Sequence, residues 1–197
     1  MNKTDDKIPP LFDSELEEHL AVGVAMRGLI TQPFFRVLNA WVTCINNGGK
    51  ILLFGNGGSA SQAQHLSTEL VVRYSAARPP IAAVALTSDT SILTASANDL
   101  GYDQVFVRQI EALGRPGDLA CGFSTSGRSP NVNLALQAAL RCELAVAGMT
   151  GGDGGEMEQI VEALIVVPSH STARIQEMHL LLGHMLCFGL ERELRYV

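Results

Sequence analysis

Lys50-Ile51-Leu52-Leu53-Phe54-Gly55-Asn56-Gly57-Gly58-Ser59-Ala60-Ser61 passes from an apolar run straight through a glycine-rich turn into small polar residues. The run has no polar alternation, which predicts a strand buried on both faces rather than one half exposed. Ser59 to Tyr74 then reads as a helix. A strand feeding a helix through a tight turn is the opening of a parallel β–α–β unit. The same alternation continues outward. Ile81–Leu86, Leu119–Phe123, Leu144–Met149 and Leu164–Val167 read as strands. Ser88–Ala97, Tyr102–Leu113, Ser129–Arg141, Glu156–Val161 and Thr172–Arg195 read as helices. Five such strands with helical crossovers predict a doubly wound α/β sandwich, a five-stranded parallel sheet flanked by helices.

Two helices precede the sheet. Asp13 or Ser14 is placed to cap the first, which carries Leu16, Leu20 and Val24 at i, i+4, i+8. The second begins near Pro33 and stops at Asn46-Asn47-Gly48-Gly49. Residues 1–12, polar and then bounded by Ile8-Pro9-Pro10, are expected to be a flexible tail, with residues 13–197 as a single domain.

Composition narrows the function. With 47% hydrophobic residues and 17% charged, the 197-residue chain can bury a substantial core. A mean hydropathy of +0.18 points to apolar surface hidden by self-association. The net charge of −6 argues against nucleic acid as a partner, since that needs a clustered basic surface. A small phosphorylated ligand stays open, because backbone N–H groups hold phosphate without Lys or Arg. Cys44, Cys121, Cys142 and Cys187 are scattered without a CxxC pair and read as free thiols of a reducing compartment. The polar N-terminus and the lack of a long apolar run lead us to expect a cytoplasmic protein without a membrane partner.

Ligands of this architecture bind beyond the carboxyl ends of the strands, so those loops matter most. Gly55-Asn56-Gly57-Gly58-Ser59 offers close backbone approach and a helix N-terminus, although a glycine turn alone is weak evidence. Ser124-Thr125-Ser126-Gly127-Arg128-Ser129-Pro130 gathers four hydroxyls, and a cap accounts for only one of them. Phosphate binding accounts for the others. On the helices, His65 and Glu69 stand one turn apart, and Gln176 and His184 stand eight residues apart on nearly one side. Together these four are candidate ligands for a divalent metal, zinc suiting imidazole and carboxylate. HxxxE is nevertheless common, and glutamine is an unusual ligand. His19 reads as a surface residue and His179 as structural.

These motifs, with Asn98-Asp99, Thr150-Gly151-Gly152-Asp153-Gly154-Gly155 and Arg174-Ile175-Gln176-Glu177, resemble the phosphoheptose isomerases of the sugar isomerase (SIS) domain superfamily, from about residue 34 onward. The resemblance implies an aldose–ketose isomerase that converts sedoheptulose 7-phosphate to D-glycero-D-manno-heptose 7-phosphate. It implies heptose precursors for lipopolysaccharide, capsule or another glycoconjugate, and a homotetramer with active sites shared between subunits. Asn56, Gly57, Gly58, Asn98, Asp99 and Gln176 would contact the sugar. Ser59, Ser124, Thr125, Ser126 and Ser129 would hold the phosphate. Glu69 would be the carbon-proton base and His184 its acid partner. Zinc would sit on His65, Glu69, Gln176 and His184.

A second branch of the superfamily binds the bacterial replication initiator protein without catalysis. Gln64-His65, Pro168-Ser169-His170 and Ala173 to His179 also resemble that branch, but it lacks the equivalents of Glu69 and His184. A third reading, a sugar-phosphate sensor, lacks an attached DNA-binding segment here. Two positions depart from the isomerase pattern: Ala173, where some members carry an acidic residue, and Arg128, inside the hydroxyl-rich loop.

Overall fold

Ile51, Leu53, Cys121, Phe123, Ala147, Met149, Ile165 and Val167 are buried against one layer of helices, and Leu52, Phe54, Ala120 and Leu164 against the other. Adjacent residues along one strand therefore enter different cores, which explains why the strands carry no polar alternation. The structure, a computed structural model, describes residues 8–197. Its strands are β1 (Ile51–Gly55), β2 (Ala83–Ala85), β3 (Leu119–Phe123), β4 (Ala145–Gly151) and β5 (Ala163–Val167). All pair in parallel, in the order β2-β1-β3-β4-β5. The helices are α1 (Ile8–Ala25), α2 (Thr31–Asn46), α3 (Gly58–Val71), α4 (Thr90–Leu100), α5 (Val107–Leu113), α6 (Pro130–Arg141) and α7 (Thr172–Glu193). The doubly wound α/β sandwich expected from the sequence is the fold observed.

The strand order reverses direction between β1 and β3, which pair from Ile51↔Leu119 to Gly55↔Phe123. That register brings the loop after β1 beside the loop after β3 at the sheet's switch point.

Three local readings are corrected. The first helix starts at Ile8, not at Asp13 or Ser14, so residues 8–12 are helical and only residues 1–7 lie outside the described part. Proline in a first turn forfeits an N–H that would have no helical partner anyway. Ser14 Oγ accordingly donates back to the Leu11 carbonyl at 2.9 Å instead of capping. The stretch from Tyr102 is broken into a 3₁₀ turn (Tyr102–Gln104) and α5, and the side-chain amide of Gln109 donates to the Val105 and Leu86 carbonyls at 2.9 Å each. The expected helix at Glu156–Val161 is a 3₁₀ turn, Gly155–Gln159. The Met157 N–H is spent across the loop on the Gly127 carbonyl at 3.0 Å.

The α1 stripe is also not a core stripe. Leu16, Leu20 and Val24 are 45%, 56% and 63% exposed, and Val22 and Met26 are buried instead. Polar contacts help dock α1 on α7: Arg174 donates to the Glu15 carbonyl at 2.6 Å, and His19 Nδ1 lies 2.7 Å from Glu177 Oε2. His19 is thus half-buried in a pairing, not a free surface residue.

Against the sheet, α3 and α7 approach closely at Gly183, where an added Cβ would stand 2.7 Å from both Leu66 methyls. Leu66 is fully buried and has little room to give. Gly183→Val should therefore destabilise the protein by about 1–3 kcal/mol, the usual cost of overpacking. Urea denaturation checks this, and a midpoint at or above that of the parent would contradict the packing argument.

Candidate active site

Two groups of polar residues stand on α3, one at each end. The first surrounds the N-terminus of α3. Gly57 occupies the N-cap with φ of +56°, a conformation that favours glycine, so the chain turns from strand to helix without a side chain in the mouth of the turn. Ser59 is buried behind it, and Ser124 is buried at the end of β3. Ser124 and Ser129 hydroxyls lie 3.0 Å apart, and Ser129, although at the N-cap of α6, makes no side-chain cap bond. Thr125 is half-buried and Ser126 exposed, its hydroxyl accepting the Arg128 N–H at 3.2 Å. Two helix N-termini and a set of hydroxyls thus border one crevice, which suits an anion.

The amide of Asn56 is held by partners that sequence spacing gave no sign of. Asn56 Nδ2 donates to Asn131 Oδ1 and Asn131 Nδ2 returns to Asn56 Oδ1, each at 2.8 Å. Tyr102 donates its hydroxyl to the same Asn56 oxygen at 3.1 Å. Asn98 and Asp99, exposed and bonded to each other at 2.7 Å, lie on the last turn of α4, just before Tyr102. Gln176 also belongs to this end: its side-chain amide lies over Gly58, where a Cβ would come within 2.6 Å of it. Its main-chain carbonyl accepts Gln62 Nε2 at 2.6 Å.

Arg128 neither faces solvent freely nor points to the hydroxyls. It forks onto Asp153 at 2.8 and 2.6 Å, stitching the β3–α6 loop to the loop after β4. The Arg128 hydrogen bonds hold the Asp153 carboxyl down to about 2.

The second group sits toward the C-terminal end of α3. His65 Nε2 is 2.9 Å from His184 Nε2 and 3.4 Å from Glu69 Oε1. One ligand atom of each residue lies within 4.8 Å of the others. The Tyr74 ring stacks on His184 at 5.5 Å and 29°, while His65 meets His184 edge-on at 5.1 Å. Two imidazole nitrogens and a carboxylate facing one point leave more lone pairs than one shared proton satisfies. Ligands at about 2.0–2.2 Å from a tetrahedral zinc lie a little over 3 Å apart. The three residues fit such an ion.

Gln176, the fourth ligand expected, is not with them in this chain. It lies against Gly58, seven residues before His65, or about 10 Å of helical rise. Within this chain three of the four come together, while the Gln176 amide lies over Gly58. The two groups are likewise separate. Ser59 and Glu69 are ten residues apart on one unbroken helix, about 15 Å.

His179 is structural. It is completely buried, with Nε2 3.1 Å from the Thr150 carbonyl.

The chain matches the SIS domain family over residues 30–151. It is 52% identical over 185 residues to a phosphoheptose isomerase of Paramagnetospirillum magneticum, covering 94% of this chain and 96% of that one. It is 45% identical over 196 residues to a phosphoheptose isomerase of Roseiflexus, covering 98% of each. Among solved structures, the phosphoheptose isomerase of Neisseria gonorrhoeae superposes with a TM-score of 0.89 at 39% identity, over 94% of this chain and 99% of that one.

Burial lowers the His179 pKa from 6.5 to about 4, against the bond to Thr150 that raises it. The unfolded chain therefore takes up the proton first. Stability from this group is complete above pH 6.5 and declines as pH falls toward 4. His179→Gln should flatten the stability slope between pH 7 and 5. Denaturation midpoints in both proteins check this, and an unchanged slope would contradict it.

Proposed function

The chain belongs to the SIS domain family and, within it, to the phosphoheptose isomerases, and from that membership we propose how its own residues carry the reaction. The activity is the interconversion of sedoheptulose 7-phosphate and D-glycero-D-manno-heptose 7-phosphate. The convergence of Glu69 with His184 on two packed helices is the observation that carries the assignment of roles.

In the ketose-to-aldose direction, a proton leaves C1 and one is delivered to C2, while the O1 proton is lost and O2 gains one. Glu69 takes the carbon-bound proton and returns it, leaving an enediol between the two steps. His184 moves the protons on oxygen, a task that suits imidazole near neutral pH. Ser59, Ser124, Thr125, Ser126 and Ser129 hold the phosphate together with the helix N-termini. Asn56, Gly57, Gly58, Asn98, Asp99 and Gln176 line the sugar. A zinc ion held by His65, Glu69 and His184 would supply Lewis-acid stabilisation of charge on the reacting oxygens.

Along α3, Ser59 and Glu69 stand about 15 Å apart. An extended seven-carbon chain with its phosphate reaches roughly 10 Å, at about 1.25 Å of advance for each of the bonds from C1 to phosphorus. On that comparison of lengths along α3, we infer that substrate anchored at Ser59 does not reach the same chain's Glu69. A complete site thus pairs the crevice of one copy with the Glu69–His184 end of another. Leu181, Met185 and Phe188, exposed around His184 on α7, and the exposed α1 stripe supply apolar surface for such contacts. A homotetramer is the assembly we infer. The second branch of the superfamily, the replication-initiator regulators, gains no support, since Glu69 and His184 are both present and together. Free, buried Cys44, Cys121 and Cys187 support a cytoplasmic setting, and no described helix is long and apolar enough to cross a membrane. Heptose precursors for lipopolysaccharide or a related glycoconjugate are the product class we infer.

Glu69→Gln keeps the shape but cannot accept a proton, so turnover should fall by about 10²–10⁴ while sedoheptulose 7-phosphate still binds. Turnover near that of the parent would remove Glu69 from the mechanism. Ser126→Asp should weaken substrate binding by placing a carboxylate against the phosphate. Mixing the two variants under conditions of subunit exchange should restore about a quarter of the parental sites, each drawing its two halves from different copies. No recovery in verified mixed oligomers would contradict the shared site.

A further inference from the structure

Beyond α3 the chain runs from Val72 to Pro80 without regular structure before it enters the sheet. A segment of this kind has no ladder of its own, so its backbone groups need other partners. They find them on one side chain. Glu191, on α7, accepts the N–H groups of Tyr74 at 3.3 Å, Ser75 at 3.2 Å and Ala76 at 3.1 Å. The same carboxylate receives Arg78 Nε at 2.8 Å. Arg78 Nη1 donates to the Leu70 and Pro79 carbonyls at 2.8 and 3.0 Å, and Nη2 donates to the Glu69 carbonyl at 2.8 Å.

Both side chains are fully removed from solvent. A buried ion pair gives little net stability unless its remaining hydrogen-bonding capacity is met, and an apolar pair of similar volume often does as well. Here that capacity is met by the backbone that surrounds Glu69 and Tyr74. Arg78 closes the C-terminal end of α3, where free carbonyls and the helix dipole favour a cation. Glu191 lies seven residues beyond His184, two turns along the same side of α7. The network therefore joins the two helices that carry Glu69 and His184, and between them it fixes Tyr74. The Tyr74 ring lies nearly parallel to the His184 imidazole, and His65 meets the same imidazole edge-on.

We propose that Tyr74, held in place by the buried Arg78–Glu191 pair, is a positioning residue that fixes the ring plane of His184. The inference rests on the role given to His184 above. Stacking sets the plane in which His184 Nε2 points toward His65 and Glu69, and a misplacement of about 1 Å costs up to 10²-fold in rate. The ring supplies this effect, not the hydroxyl.

Tyr74→Phe should keep kcat for sedoheptulose 7-phosphate within about twofold, whereas Tyr74→Ala should lower kcat by about tenfold or more with KM nearly unchanged. Proton NMR of histidine-labelled protein adds a readout independent of turnover. The His184 ring protons should be displaced by the tyrosine ring current in the parent and in Tyr74→Phe, and relax toward free-histidine positions in Tyr74→Ala. Glu191→Gln should reproduce the loss of kcat. If that variant fails to fold, the two Tyr74 variants decide the matter. Parental kcat in Tyr74→Ala would overturn the proposal, as would a raised KM at constant kcat, which would make Tyr74 a substrate contact. Should the parent protein itself fail to isomerise the sugar, the functional reading fails, and the NMR comparison still decides whether Tyr74 fixes the ring.

Discussion

The contact on which the rest depends is the close approach of α7 to α3, set by Gly183 against Leu66. Side chains on a helix project from its axis by a few ångströms, so residues on two helices meet only where the axes come near. Here the absence of a Cβ at Gly183 lets the following residue, His184, reach His65 on the turn that also carries Glu69. The neighbouring apolar side chains, Leu66, Leu70, Leu182 and Leu186, are buried and hold the approach. Behind it the Arg78–Glu191 pair ties the ends of the two helices through backbone carbonyls and N–H groups. Packing, not a local motif, thus creates a point where two imidazoles and a carboxylate face one another.

The same architecture separates the residues proposed for chemistry from those proposed for anchoring. The strand ends and helix N-termini gather backbone N–H groups and hydroxyls at the switch point of the sheet, which is where an α/β fold binds anions. The carboxylate lies most of a helix length away. A domain of this size cannot bend α3 to bring the two together, because the helix is continuous from Gly58 to Val71. A second copy, as proposed above, would supply the missing half, and the exposed apolar residues of α1 and α7 are consistent with it. Gln176 illustrates the division: it shares a helix with His184, yet in this chain its amide lies over Gly58.

Much of this was legible in the sequence. The strand Leu119–Phe123 was delimited to the residue, and the switch-point loops followed from glycine and hydroxyl placement after uninterrupted apolar runs. His65, Glu69 and His184 stood out as polar residues on helices rich in leucine. What was not legible depended on distance in the chain. The Asn56–Asn131 amide pair and the Glu191 carboxylate under Tyr74 join residues 75 and 117 apart, and no local spacing announces them. The place of Gln176 in this chain was not legible either, for another reason. Eight residues place two side chains on one side of a helix, but they also place them about 12 Å apart along it. The α1 stripe misled because a helical period shows which residues share a face, not what covers that face.

The proposed mechanism turns on a proton carried between adjacent carbons by Glu69 through an enediol. The most direct measurement is the reaction run in D2O, with NMR of the aldose product and of the recovered ketose. The proton held on the Glu69 carboxyl can exchange with solvent while the enediol persists, so deuterium is expected at C2 of the product and at C1 of the recovered ketose. Complete retention of protium in both would contradict an exchanging carboxyl proton and favour a direct transfer of hydride between the carbons, which would leave the carboxylate without its role.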